Sequence, residues 1–273
     1  MTVPFIIFSG WGLVALCFFG LWVLAVRRQD AGWVDVGWSF SLVLLVGWYA
    51  LQAEGVPWRR IFYFLLVAFW GCRLGWMILR RLLRESAEDP RYRFLREHWG
   101  RGADRRFFFF FQAQGVANLL LAAPVLLLMQ LPRPGLVAAD LLGTAVILLA
   151  VIGETVADRQ LARWKADPAN RGKTCRRGLW GVSRHPNYFF EWLHWTGYPV
   201  LGLALLGTPL ALWWPLTLLG PVVMLVLLVQ VTGIPYTEKQ SLKSRGDDYR
   251  AYQREVSAFF PWFPKSPERP ERI

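Results

Sequence analysis

Apolar residues fall in seven long blocks separated by short polar or charged stretches, at 4–26, 32–51, 61–79, 107–131, 135–156, 188–206 and 210–231. A helix needs about 20 mostly apolar residues to cross a hydrocarbon core of about 30 Å, and each block is close to that length. Backbone groups in lipid must be satisfied within their own segment, so blocks of this kind are expected to be helices. The pattern predicts an all-α integral membrane protein with seven transmembrane helices, forming one membrane domain over residues 1–273. The first block carries no charge before Arg27 and Arg28 and has no basic leader, so it is expected to remain in the mature protein as a span.

Composition agrees with this pattern. Hydrophobic residues make up 55% of the 273 and charged residues only 18%, with a mean hydropathy of +0.30, values that exclude a disordered or disulfide-stapled chain. Lys and Arg number 31 against 19 Asp and Glu, a net charge of +12. In a soluble protein this would suggest nucleic acid, but here the charge is read as orientation, because basic residues collect in cytoplasmic loops. No nucleic-acid partner is expected. The linker after the third block carries Arg80, Arg81, Arg84, Arg91, Arg93, Arg96, Arg101, Arg105 and Arg106 against Glu85, Glu88, Asp89, Glu97 and Asp104. It is placed in the cytoplasm, together with residues 27–30, the linker 157–187 and the tail after Thr232. The N-terminus is then outside and the C-terminus cytoplasmic, with only Arg59, Arg60 and Arg133 against the assignment.

Most of the 16 tryptophans lie near block ends and are expected to form interfacial belts. The five phenylalanines at 107–111 are expected to face lipid, and Cys175 is the one cysteine expected to be exposed. Neither G-x-G-x-x-G after a strand nor G-x-x-x-x-G-K-[ST] is present, so a nucleotide would be held without either standard phosphate cradle. Three histidines without H-E-x-x-H or paired cysteines make a metal site unexpected.

The richest polar stretch is 171–191, RGKTCRRGLWGVSRHPNYFFE, which runs from a basic loop into the sixth block. Pro186 suits the first turn of a helix, and Asn187 and Glu191, four apart, share one face of it. Glu154 and Asp158 repeat that spacing at the end of the fifth block. A carboxylate within a span is costly unless it is paired or faces a cavity, which makes these acids site candidates. The cations Arg171, Lys173, Arg176, Arg177 and Arg184 are suited to phosphate. Downstream, residues 235–261 are expected to form an amphipathic piece whose aromatics dip toward the membrane.

Gly178-Leu179-Trp180, Ser183 to Tyr188, Glu191-Trp192, and then Glu238, Tyr249, Tyr252 and Pro261 resemble the C-terminal half of the steroid 5-alpha-reductase-like family, over roughly 150–262. The wider superfamily includes isoprenylcysteine carboxyl methyltransferases, which share the R-H-P turn. Asn187 and Glu191 stand where the reductases have their cofactor-contacting Asn and Glu. The resemblance implies NADPH held by a C-terminal half, 132–273, with substrate-side helices in 1–131. By position it assigns Asp158, Asn187 and Glu191 to polar cofactor contacts and Lys165 to a phosphate, with Tyr236 a looser match. The cofactor set is completed by Glu154, His185, Tyr188 and Glu238 and the five cations of the loop. The implied activity is NADPH-dependent reduction of an activated C=C bond in a steroid-like or other lipid substrate entering from the bilayer. The expected location is a bacterial-type inner membrane or an equivalent one, with the cofactor side cytoplasmic.

The N-terminal half departs from those reductases. The acid in its second block is Asp35, and Trp70 stands at the expected tyrosine position, three residues before Arg73. Asp35 is expected to be a protonated donor to a substrate carbonyl unless it pairs with Arg73, in which case Arg73 or Tyr63 takes that role, with Glu54 in reserve. The alternative functions are an S-adenosylmethionine-dependent lipid or isoprenylcysteine-type methyltransferase and a non-enzymatic transporter or scaffold.

Overall fold

The computed structural model of the chain describes residues 2–84, 87–231 and 233–265. Glu85, counted above among the linker acids, and Thr232, where the tail begins, lie outside them. The described residues are helical, with no strand among them. Six helical stretches among them are long and apolar enough to cross a membrane: Val3–Arg28, Trp33–Gln52, Pro57–Leu82, Pro90–Met129, Ala138–Ala166 and Ala211–Arg245. The block at 188–206 becomes a helix of 17 residues, Pro186–Gly202. At 1.5 Å per residue this is about 25 Å, short of the hydrocarbon thickness.

The chain divides into two compact units, Met1–Asp140 with Leu201–Gly220, and Leu141–Val200 with Pro221–Ile273. This differs from the expected single domain with halves meeting at 131/132. The change of unit falls within one continuous helix, and residues 201–220 return to the first unit.

In the first unit α1 (Val3–Arg28) starts on Pro4 and ends on Arg27 and Arg28, which face the negative end of the helix dipole. The helix α2 (Trp33–Gln52) packs on α1, on α3 (Pro57–Leu82) and on α5 (Ala103–Met129). Close approach rests on small residues, the usual device where lipid offers no hydrophobic drive between helices. A Cβ on Gly37 would stand 2.0 Å from a Leu21 methyl. The 53–56 turn is strapped to the end of α5, with Glu54 N–H donating to Gln130 Oε1 at 3.0 Å and Val56 N–H to Leu131 O at 3.3 Å. The run at 107–111 does not face lipid as a block. Helical rotation turns Phe107 and Phe111 inward, at 2% and 0% exposure, and leaves Phe109 outward. Trp70, in the middle of α3, is fully buried.

The end of the unit that holds the 53–56 turn contains a closed ionic cluster. Arg59 meets Asp140 in a two-pronged pair at 2.7 and 2.8 Å. Its other donors reach Tyr63 Oη at 2.9 Å, Arg133 O at 2.7 Å and Gly135 O at 2.6 Å. All five N–H groups of the guanidinium are used, and both side chains are buried.

At the opposite end α4 (Pro90–Trp99) is capped by Asp89, which accepts from Arg91 N–H at 2.9 Å. Glu88, Asp89 and Asp104 of the linker are engaged locally. Glu88 takes two bonds from Arg96 and one from Ala31 N–H, and Asp104 faces Arg96 at 3.3 Å. Asp35 belongs to this network. Arg91 Nη2 donates to its Oδ2 at 2.6 Å, and the Tyr92 hydroxyl donates to Oδ1 at 2.6 Å.

In the second unit α6 (Ala138–Ala166), from Leu141 onward, runs antiparallel to α7 (Pro186–Gly202) up to Val200. Cβ atoms on Gly153 and Gly197 would overlap Phe190 and Ile147, which fixes the register. Beyond α8 (Leu219–Val226), a five-residue π-helix at Leu227–Val231 leads toward α9 (Ile234–Arg245) and α10 (Asp247–Glu255). The expected membrane-dipping tail is partly a core instead. Tyr249, Tyr252 and Val256 pack together with Leu242, because the Tyr252 hydroxyl finds Trp180 O at 2.5 Å and Ser183 O at 3.2 Å and can be buried without loss. Phe260, Trp262 and Phe263 keep their exposure. Cys175, expected to be exposed, is buried, at 2% exposure.

Candidate functional site

The polar residues of the second unit form three neighbouring groups. The first lies on the α6/α7 pair. Asn187 Nδ2 donates to Asp158 Oδ1 at 3.3 Å. With Gly153 against Phe190, the antiparallel register puts Glu154 level with Glu191, one turn deeper than the Asp158 and Asn187 contact. Both glutamates are buried, at 4% and 7% exposure, and Glu191 Oε1 accepts from Trp195 Nε1 at 3.4 Å. Two i, i+4 pairs seen separately in the sequence thus become four polar groups on facing helices.

The second group holds the loop that enters α7. Ser183 Oγ accepts from His185 N–H at 3.2 Å and donates to Phe259 O at 2.8 Å. Arg184 donates to Glu238 Oε1 at 2.7 Å and to the carbonyls of Gln253 and Val256 at 3.0 and 2.6 Å. His185 Nε2 lies 3.3 Å from the same Glu238 oxygen and stacks on Tyr188, whose hydroxyl reaches Thr237 Oγ1 at 3.1 Å. Burial pushes the His185 imidazole below its usual range, against the pull of Glu238. Arg176 is engaged by Glu255 and by Asp248. Arg176 and Arg184, expected to meet phosphate, are therefore matched within the chain by carboxylates more than 50 residues downstream.

The third group borders a cleft of about 760 Å³ lined by Trp164, Lys165, Asn170, Arg171, Lys173 and Arg245, among others. Its floor turns at Gly172, whose φ of +77° favours glycine. Asp167, the acid on its wall, has one carboxylate oxygen occupied by Ala169 N–H. Arg177 lies over the Trp164 ring at 5.5 Å, and Trp164 Nε1 is buried with no hydrogen-bond partner among the described residues. Tyr236 stands on α9 with its hydroxyl accepting from Gln240 at 3.2 Å.

The substrate-side candidates of the first unit do not form a trio. The α2/α3 contacts, Gly71 on Val43 and Gly75 on Phe40, set the register of that hairpin. By helical rise they put Tyr63 roughly 24 Å from the level of Asp35, and Arg73 roughly 9 Å from it. Tyr63 belongs to the Arg59 and Asp140 cluster. Both oxygens of Asp35 accept, from Arg91 and Tyr92, so in this geometry Asp35 anchors α4 instead of donating to a carbonyl. Arg91 takes the ion-pair role expected of Arg73. Charged hydrogen bonds contribute about 1.5–3 kcal/mol each. We therefore expect Asp35→Leu and Arg91→Met each to expose the 83–100 linker to limited proteolysis, and the double variant to be no worse than either alone. Additive losses would refute the anchor.

Sequence reading missed Gln160, whose Oε1 accepts Leu179 N–H at 2.9 Å beside Gly178, where φ is +59°. It also missed Gln253, which donates to Glu238 at 2.8 Å. Neither carries a motif. Asp140, an acid at the start of the fifth block, was a visible signal.

A protein-family model described as "Protein of unknown function (DUF1295)" matches residues 21–256. No curated protein matches the chain, and no solved structure does.

Proposed function

We propose, on the premise that this chain belongs to the DUF1295 family, that it is a membrane oxidoreductase passing a hydride from NADPH to the beta carbon of a lipid enone. The reading includes seven crossings, an outside N-terminus, a cytoplasmic C-terminus and a cofactor side facing the cytoplasm of a bacterial-type inner membrane or its equivalent. It is supported above all by one observation, the contact of Asn187 with Asp158 level by level with Glu154 and Glu191 on facing helices. Asp158, Asn187 and Glu191 are the positions to which the resemblance to steroid 5-alpha-reductases assigns polar cofactor contacts.

The residues present fit such a group. Lys165, Arg171, Lys173 and Arg245 border the cleft and would hold the phosphates, beside the buried Trp164 N–H, which has no hydrogen-bond partner among the described residues. Asp158, Asn187 and Glu191 would take the ribose and amide groups. NADPH, when bound, supplies the hydride. The chain must hold a cation or donor at the carbonyl oxygen as it gains enolate charge, while a proton reaches the alpha carbon. Arg73, a cation within the third helix, is proposed for that task.

Thermal denaturation of the detergent-purified protein tests the reading, because a ligand that binds only the folded state raises its stability. NADPH is expected to stabilise, and NADH to need at least about tenfold more ligand for the same shift, since charge-assisted phosphate contacts contribute about 1.5–3 kcal/mol. Stabilisation by S-adenosylmethionine instead would favour the methyltransferase, and a shift with neither would favour a transporter or scaffold.

A further inference from the structure

On α1, Phe19, Val23 and Arg27 stand four residues apart and form one stripe, and on α5 Arg105, Phe109 and Val116 form another. The two helices touch beside these stripes. Trp22 Nε1 donates to Asp104 O at 2.8 Å, its ring meets Phe108 edge-on at 5.4 Å, and Gln112 Nε2 donates to Ala15 O at 3.3 Å. Leu21 of α1 is in contact with Gly37 of α2, and Asn118 of α5 donates to Trp38 O of α2. By the helical period each of these residues stands on the face of its helix opposite the stripe. Both stripes therefore turn away from α2 and border one open seam between α1 and α5.

Along most of its length the seam is apolar. Phe19, Phe109 and Val116 are exposed, and the rings of Phe19, Trp22, Phe108 and Phe109 follow one another at centroid distances of 5.7, 5.4 and 5.3 Å. At its end stand Arg27 and Arg105, both exposed. Arg105 adjoins the Trp22 and Asp104 contact, and helical rise puts Arg27 about 8 Å beyond it, a separation that two arginine side chains can close on one phosphate. The neighbouring acids are occupied. Asp104 faces Arg96 at 3.3 Å, and Asp30 Oδ1 accepts from Gly32 N–H at 2.9 Å. Neither seam arginine has a hydrogen-bond or ion-pair partner among the described residues.

We propose that the α1/α5 seam binds an anionic phospholipid, one acyl chain lying along the exposed rings and the headgroup phosphate held between Arg27 and Arg105. Guanidinium groups match phosphate oxygens in two-pronged contacts. Two cations without a carboxylate select an anionic headgroup over a zwitterionic one, and the aromatic wall below them selects a lipid over a free phosphate ion. The site lies wholly in the first unit and does not depend on the proposed reduction.

The test is native mass spectrometry of the delipidated full chain in detergent, titrated with phosphatidylglycerol and with phosphatidylcholine of the same acyl chains. Each basic residue near a membrane surface contributes about fivefold in affinity for an anionic lipid, so phosphatidylglycerol is expected to bind about 20-fold more tightly. Arg27→Gln with Arg105→Gln should bring the two lipids to parity. Arg28→Gln with Arg106→Gln removes the same charge one residue along each helix, off the stripes, and should leave the preference intact. All four arginines are exposed, so neither pair of substitutions disturbs the helix packing. Glycerol phosphate in excess should not displace the bound lipid. Equal affinities for the two lipids in the unsubstituted protein would show that the seam does not select charge. Equal losses in the two double variants would show a diffuse field, and displacement by glycerol phosphate a site for free anions; any of the three overturns the proposal.

Discussion

Replacing Asp140 by leucine while keeping Arg59 is expected to destabilise the protein by about 3–5 kcal/mol, the cost of leaving one member of a buried pair uncompensated. The expectation rests on completeness. Arg59 spends all five donors on Asp140, Tyr63 and two carbonyls, and both charged side chains are almost wholly buried, at 0% and 1% exposure. Water cannot replace the lost acceptor there. Arg59→Met should cost a comparable amount, since Asp140 would lose both prongs of the pair while still accepting from Tyr63 at 3.3 Å and Val137 N–H at 2.9 Å. The double variant, Arg59→Met with Asp140→Leu, should recover most of the loss, because a buried ion pair exchanged for apolar residues of similar volume is often neutral. Reversible unfolding of the four proteins in one detergent measures the coupling. Additive destabilisation in the double variant would refute the pair as the source of the effect.

Asn187→Ala and Glu191→Ala are expected to abolish NADPH binding while leaving a folded protein. At a ligand concentration of 100 Kd the unsubstituted protein gains about 2.7 kcal/mol, a gain that should vanish in both variants. Each residue sits one helical turn from the other on α7, and Asn187 already bonds Asp158 across the helix pair. The loop before them is held by Arg184, Ser183 and Tyr252, none of which is altered. The α7 entrance should therefore keep its shape. Retained NADPH stabilisation in both variants would remove the cofactor assignment.

The two predictions differ in how visible their residues are in the chain. Asn187 and Glu191 share a helix face by spacing alone, and so do Glu154 and Asp158, because the helical period is a local property. Hydropathy was as direct. Blocks of about 20 apolar residues have one low-cost backbone conformation in lipid, and the first five blocks are followed by long α-helices, while the last two break into shorter helical pieces. Local patterns also set the entrances and exits, such as Pro57 and Pro186 in first turns and the arginines that end α1.

Tertiary structure decided what each charge is for. Nothing near Asp35 in sequence points to Arg91 and Tyr92, more than 50 residues away. Nothing beside Arg184 or Arg176 announces Glu238 or Glu255. Phosphate-binding and structurally paired arginines have the same spelling, and only packing separates them. Asn118 is a polar residue in an apolar block, and only the fold shows that Trp38 O and Ser41 Oγ hold its amide nitrogen. Composition and period fix which backbone forms and which faces are apolar, since those energies are summed over neighbouring residues. Pairing of buried polar groups depends on angstrom-scale placement across helices, which the sequence specifies only through the completed fold.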